Sequence, residues 1–457
     1  MDIGFQTIGN ATLIAFDHGP VLVTDPWIEG SAYFGSWTLS CNIPVEQKEA
    51  VLACPYVWFS HGHPDHLNPE SLHLFKEKTI LLPDHYGMRI KEDLEKMGFK
   101  TQMLPERKWV KLTDRIRICC LTNSNQDAIL LLDINGRLAV NLNDVSLGSE
   151  RQFILSESKK FPTTIALAYA GYGDADMIHI FNEEGELIPS IISRMGKPLG
   201  DQLADIAEAV GAKYFIPFSA MHRYQRTDSL WANEYLADPK ELQKTAGPRA
   251  QQILPMYLSY DCSNDSYAVI KTESVPDTIL SPETFGDNWA DELTSEDRTK
   301  LKKYIESFQM LSKKLDFIHF EVGGKTLEIP LKKKSFKRGI TFKVPRHSLM
   351  TCVEYEIFDD LLIGNFMKTV LHGKWNPDEL YGDFSVYVGK YGDNGRVKSQ
   401  DEIRSYLRTY AMRNPIESLF GAVEEQGKSL MRSVLPKDSA LLQNFKKVYR
   451  KIKYSNG

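Results

Sequence analysis

Ser60-His61-Gly62-His63-Pro64-Asp65-His66-Leu67 places three imidazoles and one carboxylate within six positions. The segment follows an apolar run, Tyr56-Val57-Trp58-Phe59, so the cluster stands where a buried strand ends. Capping or surface histidines do not need this density, whereas metal ligation does. Neutral imidazole and carboxylate oxygen are borderline-to-hard donors suited to Zn, Fe or Mn. In an extended loop His61 and His63 project the same way and can hold one ion. Asp65 and His66 belong to the following turn and can face a second ion a few ångström away.

Strand signals lead into that loop. Residues 7–16 carry apolar side chains around a Gly-Asn pair, and Asp17-His18-Gly19-Pro20 turns the chain into Val21-Leu22-Val23-Thr24, a hairpin ending at Asp25. After the loop, Asn68-Pro69-Glu70 predicts the opening of a helix. Short apolar runs predict further strands at 79–82, 129–134, 138–142 and 164–169. Helical spacing through Leu203, Ile206 and Val210 is followed by another strand signal at 212–218. This alternation predicts a layered α/β domain over 1–275, its sheets covered by helices.

A segment rich in Pro, Ser, Thr and Gly then separates a smaller α+β domain over 290–457. There Thr294-Ser295-Glu296-Asp297 predicts a capped helix with an apolar face of Leu301, Ile305 and Phe308. Residues 318–322 read as a strand and 358–371 as a helix, while Tyr381-Gly382-Asp383-Phe384 and Lys390-Tyr391-Gly392-Asp393-Asn394-Gly395 read as turns.

A chain of 457 residues, 42% hydrophobic and 25% charged, is globular by composition, not disordered or a coiled-coil rod. Its 55 basic against 60 acidic residues give a net charge of -5 and no global reason to expect nucleic acid as partner. The run Lys332-Lys333-Lys334-Ser335-Phe336-Lys337-Arg338 reads as a solvated loop. No apolar stretch is long enough to span a membrane, and the first residues carry no readable secretory signal, so the expected location is cytoplasmic. The six cysteines, at 41, 54, 119, 120, 262 and 352, form no C-x-x-C pair and are expected to be free thiols.

The loop matches the H-x-H-x-D-H signature, as His61, His63, Asp65 and His66, and in this the chain resembles the metallo-β-lactamase superfamily. The resemblance implies a four-layer αββα sandwich with the site at one edge between two sheets. It implies two divalent ions, Zn or Fe with Mn as a further choice, held by His61, His63, Asp65, His66, Asp144 and His222. Asp144 matches the carboxylate bridging both ions, and Asp25 the aspartate supporting the histidine loop. The superfamily's third histidine for the first ion is missing: the stretch reads Leu121-Thr122-Asn123-Ser124-Asn125-Gln126-Asp127, with Asn123 nearest the expected place and Asp127 the nearby carboxylate. A carboxylate there shifts preference toward iron or manganese.

Looser motifs resemble the metallo-β-lactamase-like part of CMP-N-acetylneuraminate hydroxylase and its bacterial relatives. They are Val23-Thr24-Asp25-Pro26-Trp27, the loop Tyr33-Phe34-Gly35-Ser36-Trp37, Ala168-Tyr169-Ala170-Gly171-Tyr172-Gly173, Ile216-Pro217-Phe218-Ser219-Ala220 and Asp378-Glu379-Leu380-Tyr381. Those hydroxylases carry a Rieske centre, which needs C-x-H and C-x-x-H elements, and neither occurs in this sequence. The superfamily comparison also places Arg194, Lys197 and Arg223 beside the site, where with Tyr172 they would hold a small anionic substrate.

Three functions follow. In the favoured one, a hydrolase of phosphorylated, ester or nucleotide-sugar-like substrates, the metals acidify water and the resulting hydroxide attacks phosphorus or carbonyl, with Asp65 or Asp127 passing a proton to the leaving group. In the second, a diiron oxygenase uses the same ligands together with a separate electron donor. In the third, the fold survives as a non-catalytic metal-binding module.

Overall fold

The computed structural model describes residues 1–148, 150–171, 177–188, 198–332, 337–375, 380–413 and 415; Tyr172, Arg194 and Lys197 lie outside the described residues. Eight strands form one sheet, in the order Ser266–Val269, Leu258–Asp261, Ile3–Ile8, Thr12–Asp17, Pro20–Thr24, Tyr56–Trp58, Thr79–Pro83 and Lys100–Leu104. Six form a second sheet, in the order Tyr214–Phe218, Thr164–Tyr169, Arg137–Asn143, Ala128–Ile134, Ile116–Thr122 and Trp109–Lys111.

Successive side chains of a strand point to opposite faces, and here both faces are buried. Leu13, Ala15, Ile118, Cys120, Leu130 and Leu132 pack into one core between the sheets. Their neighbours Ile14 and Phe16 turn outward to Val51 and Leu94, on the helices Val45–Ala53 and Arg89–Lys96. On the far side Cys119, Leu121 and Leu131 meet Ile154, Leu203 and Ala207, on the helices Arg151–Ser158 and Leu199–Ala209. The result is helix, sheet, sheet, helix: the four-layer αββα sandwich that the sequence implies.

A separate core lies against a five-stranded sheet ordered Ile180–Phe181, Lys368–His372, Gly339–Lys343, Phe317–Val322 and Lys325–Pro330. Its helices include Ser295–Ser307, Arg346–Tyr355 and Phe358–Ile363. The Thr294 side chain accepts from the Asp297 N–H at 3.1 Å and Asp297 Oδ2 accepts from the Thr294 N–H at 2.9 Å, the expected capping box. Ile180–Phe181 pairs in parallel with Lys368–His372, so a strand from the middle of the chain completes this sheet.

Two local expectations are corrected. The helix expected over 358–371 ends at Ile363. Asn365 then takes a left-handed φ of 54° and binds the Ile178 and His179 N–H groups through its Oδ1, and the chain continues as the strand Lys368–His372. Pairing with a distant strand overrides local apolar spacing there. The two expected turns at 381–384 and 390–395 are instead parts of one 14-residue π-helix, Tyr381–Asn394. Its glycines read as punctuation in sequence, but Gly389 and Gly392 permit close packing: a Cβ there would lie 2.1 Å from Asp359 Oδ1 and 2.2 Å from the Phe308 ring. All six cysteines are free, and no helix among the described residues is long and apolar enough to cross a membrane.

Candidate metal centre

The candidate ligands come from strand ends on one edge of the sandwich. Asp25 follows Pro20–Thr24, which runs parallel to Tyr56–Trp58, the strand that delivers the histidine loop. Asp144 follows Arg137–Asn143, whose register with its parallel neighbour Thr164–Tyr169 shifts between Asn141 and Asn143. This irregularity, with Asn143 at φ 48°, turns the chain just before Asp144 and re-aims its carboxylate. Ligand sites of α/β sheets form at such carboxyl ends of parallel strands.

Asp25 is fully buried and organises the loop: Oδ1 accepts from the Ser60 N–H at 2.7 Å, and Oδ2 from Ser60 Oγ at 2.8 Å and His66 Nδ1 at 3.1 Å. A carboxylate only accepts, so His66 carries its proton on Nδ1 and presents Nε2 to the site. Ser60 Oγ spends its one proton on Asp25 and so accepts from His61 Nδ1 at 2.9 Å, which makes His61 Nε2 an acceptor, met by His63 Nδ1 at 3.0 Å. One carboxylate thereby fixes the tautomers of two histidines, an outer-shell arrangement typical of metal sites. His85 adds a hydrogen bond from Nε2 to the Ser60 carbonyl at 3.1 Å.

Two groups of ligand atoms result, each within 4.8 Å: His61, His63 and Asp144, and Asp65, His66 and Asp144. His61 Nε2 is 3.7 Å and His66 Nε2 3.2 Å from the shared Asp144 Oδ2. His63 Nε2 and Asp144 Oδ1 are buried without a hydrogen-bond partner. Such orphans cost about 1–3 kcal/mol each, and a divalent cation would relieve both. These donors fit divalent metal ions, with Asp144 common to both groups.

The electrostatics agree with a cation site. Burial pushes His61 and His63 well below the usual imidazole range, so both are neutral donors. Burial acts the same way on His66, but the carboxylates of Asp65, Asp144 and Asp25 outweigh it and hold the ring well above that range, so the surrounding negative charge favours a second proton on Nε2, which a bound cation would displace. Burial raises the Asp65 carboxyl to about 6, against the opposing pull of His66. Asp65 is held from both sides, Oδ1 accepting from the Tyr33 hydroxyl at 2.5 Å and Oδ2 from Asn10 Nδ2 at 2.9 Å.

The other sequence candidates are placed differently. His222 is buried outside both groups, its ring stacked 3.3 Å from that of Trp37, with neither nitrogen hydrogen-bonded, and burial lowers it to about 3. Asn123 Oδ1 accepts from the Asn125 and Asp127 N–H groups at 2.9 and 3.2 Å, closing a turn. Asp127 Oδ1 lies 3.8 Å from Lys390 Nζ. Arg223 binds the Asp277 carboxylate and the Pro276 carbonyl.

Sequence reasoning missed Asn10, Ser60, Ser219 and Lys390. Ser219 Oγ lies 3.2 Å from His66 Nε2, and both it and Ser60 stand in motifs already noted for other reasons. Asn10 and Lys390 carry no local signal, because folding alone brings them to the loop.

No family model matches the chain. A stretch of 95 residues is 32% identical to a protein described as a Rieske 2Fe-2S iron-sulfur protein in Mycolicibacterium smegmatis, covering 20% of this chain and 18% of that protein. Another of 133 residues is 26% identical to the cytidine monophosphate-N-acetylneuraminic acid hydroxylase of Asterias rubens, covering 27% of this chain and 20% of the relative. The chain thus spans about a fifth of the length of these curated relatives. Among solved structures, the metallo hydrolase Igni18 of Ignicoccus hospitalis is similar over 60% of this chain and 97% of its own, at 16% identity and a TM-score of 0.37. CmlA, a diiron β-hydroxylase of Streptomyces venezuelae, is similar over 56% and 54%, at 12% identity and a TM-score of 0.37. The αββα topology and the His61-x-His63-x-Asp65-His66 loop on its strand edge are those of a metallo-β-lactamase fold.

Proposed function

We propose that the chain is a metal-dependent hydrolase with a dinuclear centre, acting on a small anionic ester, a phosphorylated compound or a nucleotide sugar. The observation that carries this reading is the position of Asp144. It is common to both ligand groups, and its side chain is 26% exposed while those of His61 and His66 are 4% and 0% exposed. Solvent therefore reaches the donor common to both groups, where a hydrolytic water would be needed. When bound, divalent ions would supply Lewis acidity and a water acidified toward neutrality.

The chain's own residues would do the rest. Asp25 and Ser60 hold the lone pairs of His61 and His66 toward the centre. Tyr33 and Asn10 grip both oxygens of Asp65, so proton delivery to the leaving group falls to Asp127. Burial raises the Asp127 carboxyl above its ordinary range against the pull of Lys390. His222, with two unpartnered ring nitrogens, stays in this proposal as a further candidate ligand. The domain division at 275 and 290 belongs to the same proposal, with the metal ligands on the first part.

A second reading, a diiron oxygenase served by a separate electron donor, is favoured by the two carboxylates among five donors, a set hospitable to iron, and by the local similarity to hydroxylases. Metal content after purification without oxygen tests both. The hydrolase predicts about two zinc or manganese ions per chain and cleavage of phosphodiesters or nucleotide sugars that Asp144→Asn abolishes. About two irons per chain, with a Mössbauer spectrum that changes in air and no hydrolysis, would overturn it in favour of the oxygenase. If His63→Ala left metal content and activity unchanged, neither enzyme reading would survive.

A further inference from the structure

We propose that a cavity beside the histidine loop is a binding site for a small apolar molecule carrying one hydrogen-bond donor, of the size and polarity of phenol, with His85 as the acceptor. The site is separate from the candidate metal ligands, and the inference does not depend on how many ions they hold.

The cavity measures about 120 Å³. Protein interiors leave few voids larger than a water molecule, and a comparable cavity of about 150 Å³ lined by Leu, Ile and Phe holds benzene in another protein. Gly62 and Leu67 of the histidine loop line it together with Ile90 and Leu94 of the helix Arg89–Lys96. Leu82 and Met103, register partners on adjacent strands, add the sheet side, and Ile357 reaches it from the C-terminal part of the chain. Met88 and the half-exposed Met97 also border it. Methionine side chains are unbranched and polarizable, so three of them can reshape around an occupant. Met88 holds a left-handed φ of 55°, a conformation that costs a long side chain energy and recurs at ligand clamps.

Polar side chains in the wall are turned to other partners. Arg89 binds the Glu356 carbonyl through Nη1 at 2.7 Å and the Tyr355 carbonyl through Nη2 at 2.5 Å. Gln126 Nε2 donates to the Tyr86 carbonyl at 3.2 Å and the Tyr406 hydroxyl at 3.1 Å, and Lys91 Nζ to Glu95 Oε2 at 2.8 Å. His85 differs. A carbonyl only accepts, so the bond from Nε2 to the Ser60 carbonyl at 3.1 Å places the ring proton on Nε2 and leaves Nδ1 as a bare lone pair. Nδ1 is buried and has no hydrogen-bond partner. A buried acceptor without a partner is costly, and an occupant that donates one hydrogen bond relieves it while its apolar remainder covers the aliphatic wall. The volume admits one ring with a small substituent and is too small for a nucleotide or a peptide. Gly62 stands between His61 and His63, so an occupant would rest on the backbone that carries two candidate metal ligands.

The experiment is calorimetric titration of the metal-free full-length protein with phenol and, separately, with toluene, in which a methyl replaces the hydroxyl. The wild type is expected to bind one phenol per chain with a Kd below about 1 mM. His85→Gln keeps an amide donor for the Ser60 carbonyl but loses the Nδ1 lone pair; it should weaken phenol by about fivefold and leave toluene within about twofold. Ile90→Phe fills the cavity and should weaken both ligands by about tenfold or more. If Ile90→Phe does not fold, Met103→Phe narrows the same cavity from the sheet side. Absence of saturable phenol binding to the wild type overturns the proposal, as does binding that persists in a folded cavity-filling variant. A His85→Gln protein that binds phenol as the wild type does, or that loses phenol and toluene alike, overturns the assignment of His85 as acceptor and with it the proposed ligand class.

Discussion

Replacing Asp25 by Asn tests whether the histidine tautomers are set as the geometry says. The backbone should tolerate the change, since φ at this position is 41° and Asn adopts the left-handed region readily. The hydrogen-bond pattern should not. Asp25 accepts from three donors, the Ser60 N–H, Ser60 Oγ and His66 Nδ1, at 2.7, 2.8 and 3.1 Å. An amide keeps one acceptor, which must stay on the Ser60 N–H, because an NH2 group there would oppose a fixed donor. The amide nitrogen then faces His66 Nδ1, and the ring can meet it only by giving up its Nδ1 proton and keeping one on Nε2, the atom that faces Asp144. Metal binding must reverse that tautomer, and zinc affinity is expected to fall by about 10–100-fold, the usual effect of losing a carboxylate that orients a ligating histidine. Without metal, loss of charge-assisted bonds should lower stability by about 1–3 kcal/mol. Zinc titration and urea unfolding in chelator read the two effects separately. A stability loss of that size with zinc affinity within about twofold of wild type would refute the tautomer argument and leave Asp25 a purely structural group.

Other residues give independent expectations. Arg226 is completely buried, with Nη1 2.8 Å from both Asp287 Oδ2 and the Phe34 carbonyl and its guanidinium carbon 4.0 Å above the Phe366 ring. Arg226→Met strands Asp287 and should cost about 3–5 kcal/mol in urea unfolding; a loss under about 1 kcal/mol would mean the pair is solvated in reality. Gly389→Ala sets a methyl against the Asp359 carboxylate and should cost about 1–3 kcal/mol, with loss of the π-helix visible as faster amide exchange over 381–394. Asp393 is raised by burial from 3.8 to about 7, while its Oδ2 accepts from the Tyr304 hydroxyl and the Phe358 N–H. The unfolded chain releases this proton near 3.8 and the folded chain near 7, so stability should fall as pH rises across that window, by up to about 4 kcal/mol. Asp393→Asn cannot ionise and should flatten the fall between pH 5 and 8; profiles that stay parallel would show that Asp393 does not titrate there.

How much could be read beforehand depended on whether the signal was local. The histidine loop was legible because four donors share one short segment after a strand, and no other structure needs that density. The sandwich strands were legible as continuous apolar runs because both faces are buried, as at Ile129 and Leu130, which point to different cores. Strand 116–122 escaped notice because Arg117 interrupts its apolar run. The π-helix was illegible in principle: Gly389 and Gly392 are turn residues by composition, and only contact with Asp359 and Phe308 reveals their use. Asn10, far from the loop in sequence, reaches Asp65 only because the two-sheet packing brings the first hairpin beside it.

The fixed and the responsive parts of the centre are divided in a consistent way. His61, His66 and Asp65 are each tied by hydrogen bonds to the sandwich, through Ser60, Asp25, Tyr33 and Asn10, and their exposure is low. Asp144 is positioned by a backbone irregularity instead, and its Oδ1 has no hydrogen-bond partner. On the dinuclear reading, the donor common to both groups would be the one free to adjust as each ion enters, while the imidazoles would be held in place before binding. A preorganised set of this kind spends little ordering entropy on the first ion, so affinity should depend on the hydrogen-bonded frame more than on Asp144's own orientation. Asp144→Glu, which lengthens only the adjustable donor, should therefore weaken zinc binding less than Asp25→Asn does; the opposite order in the same titration would place the rigidity at Asp144 and not in the histidine frame.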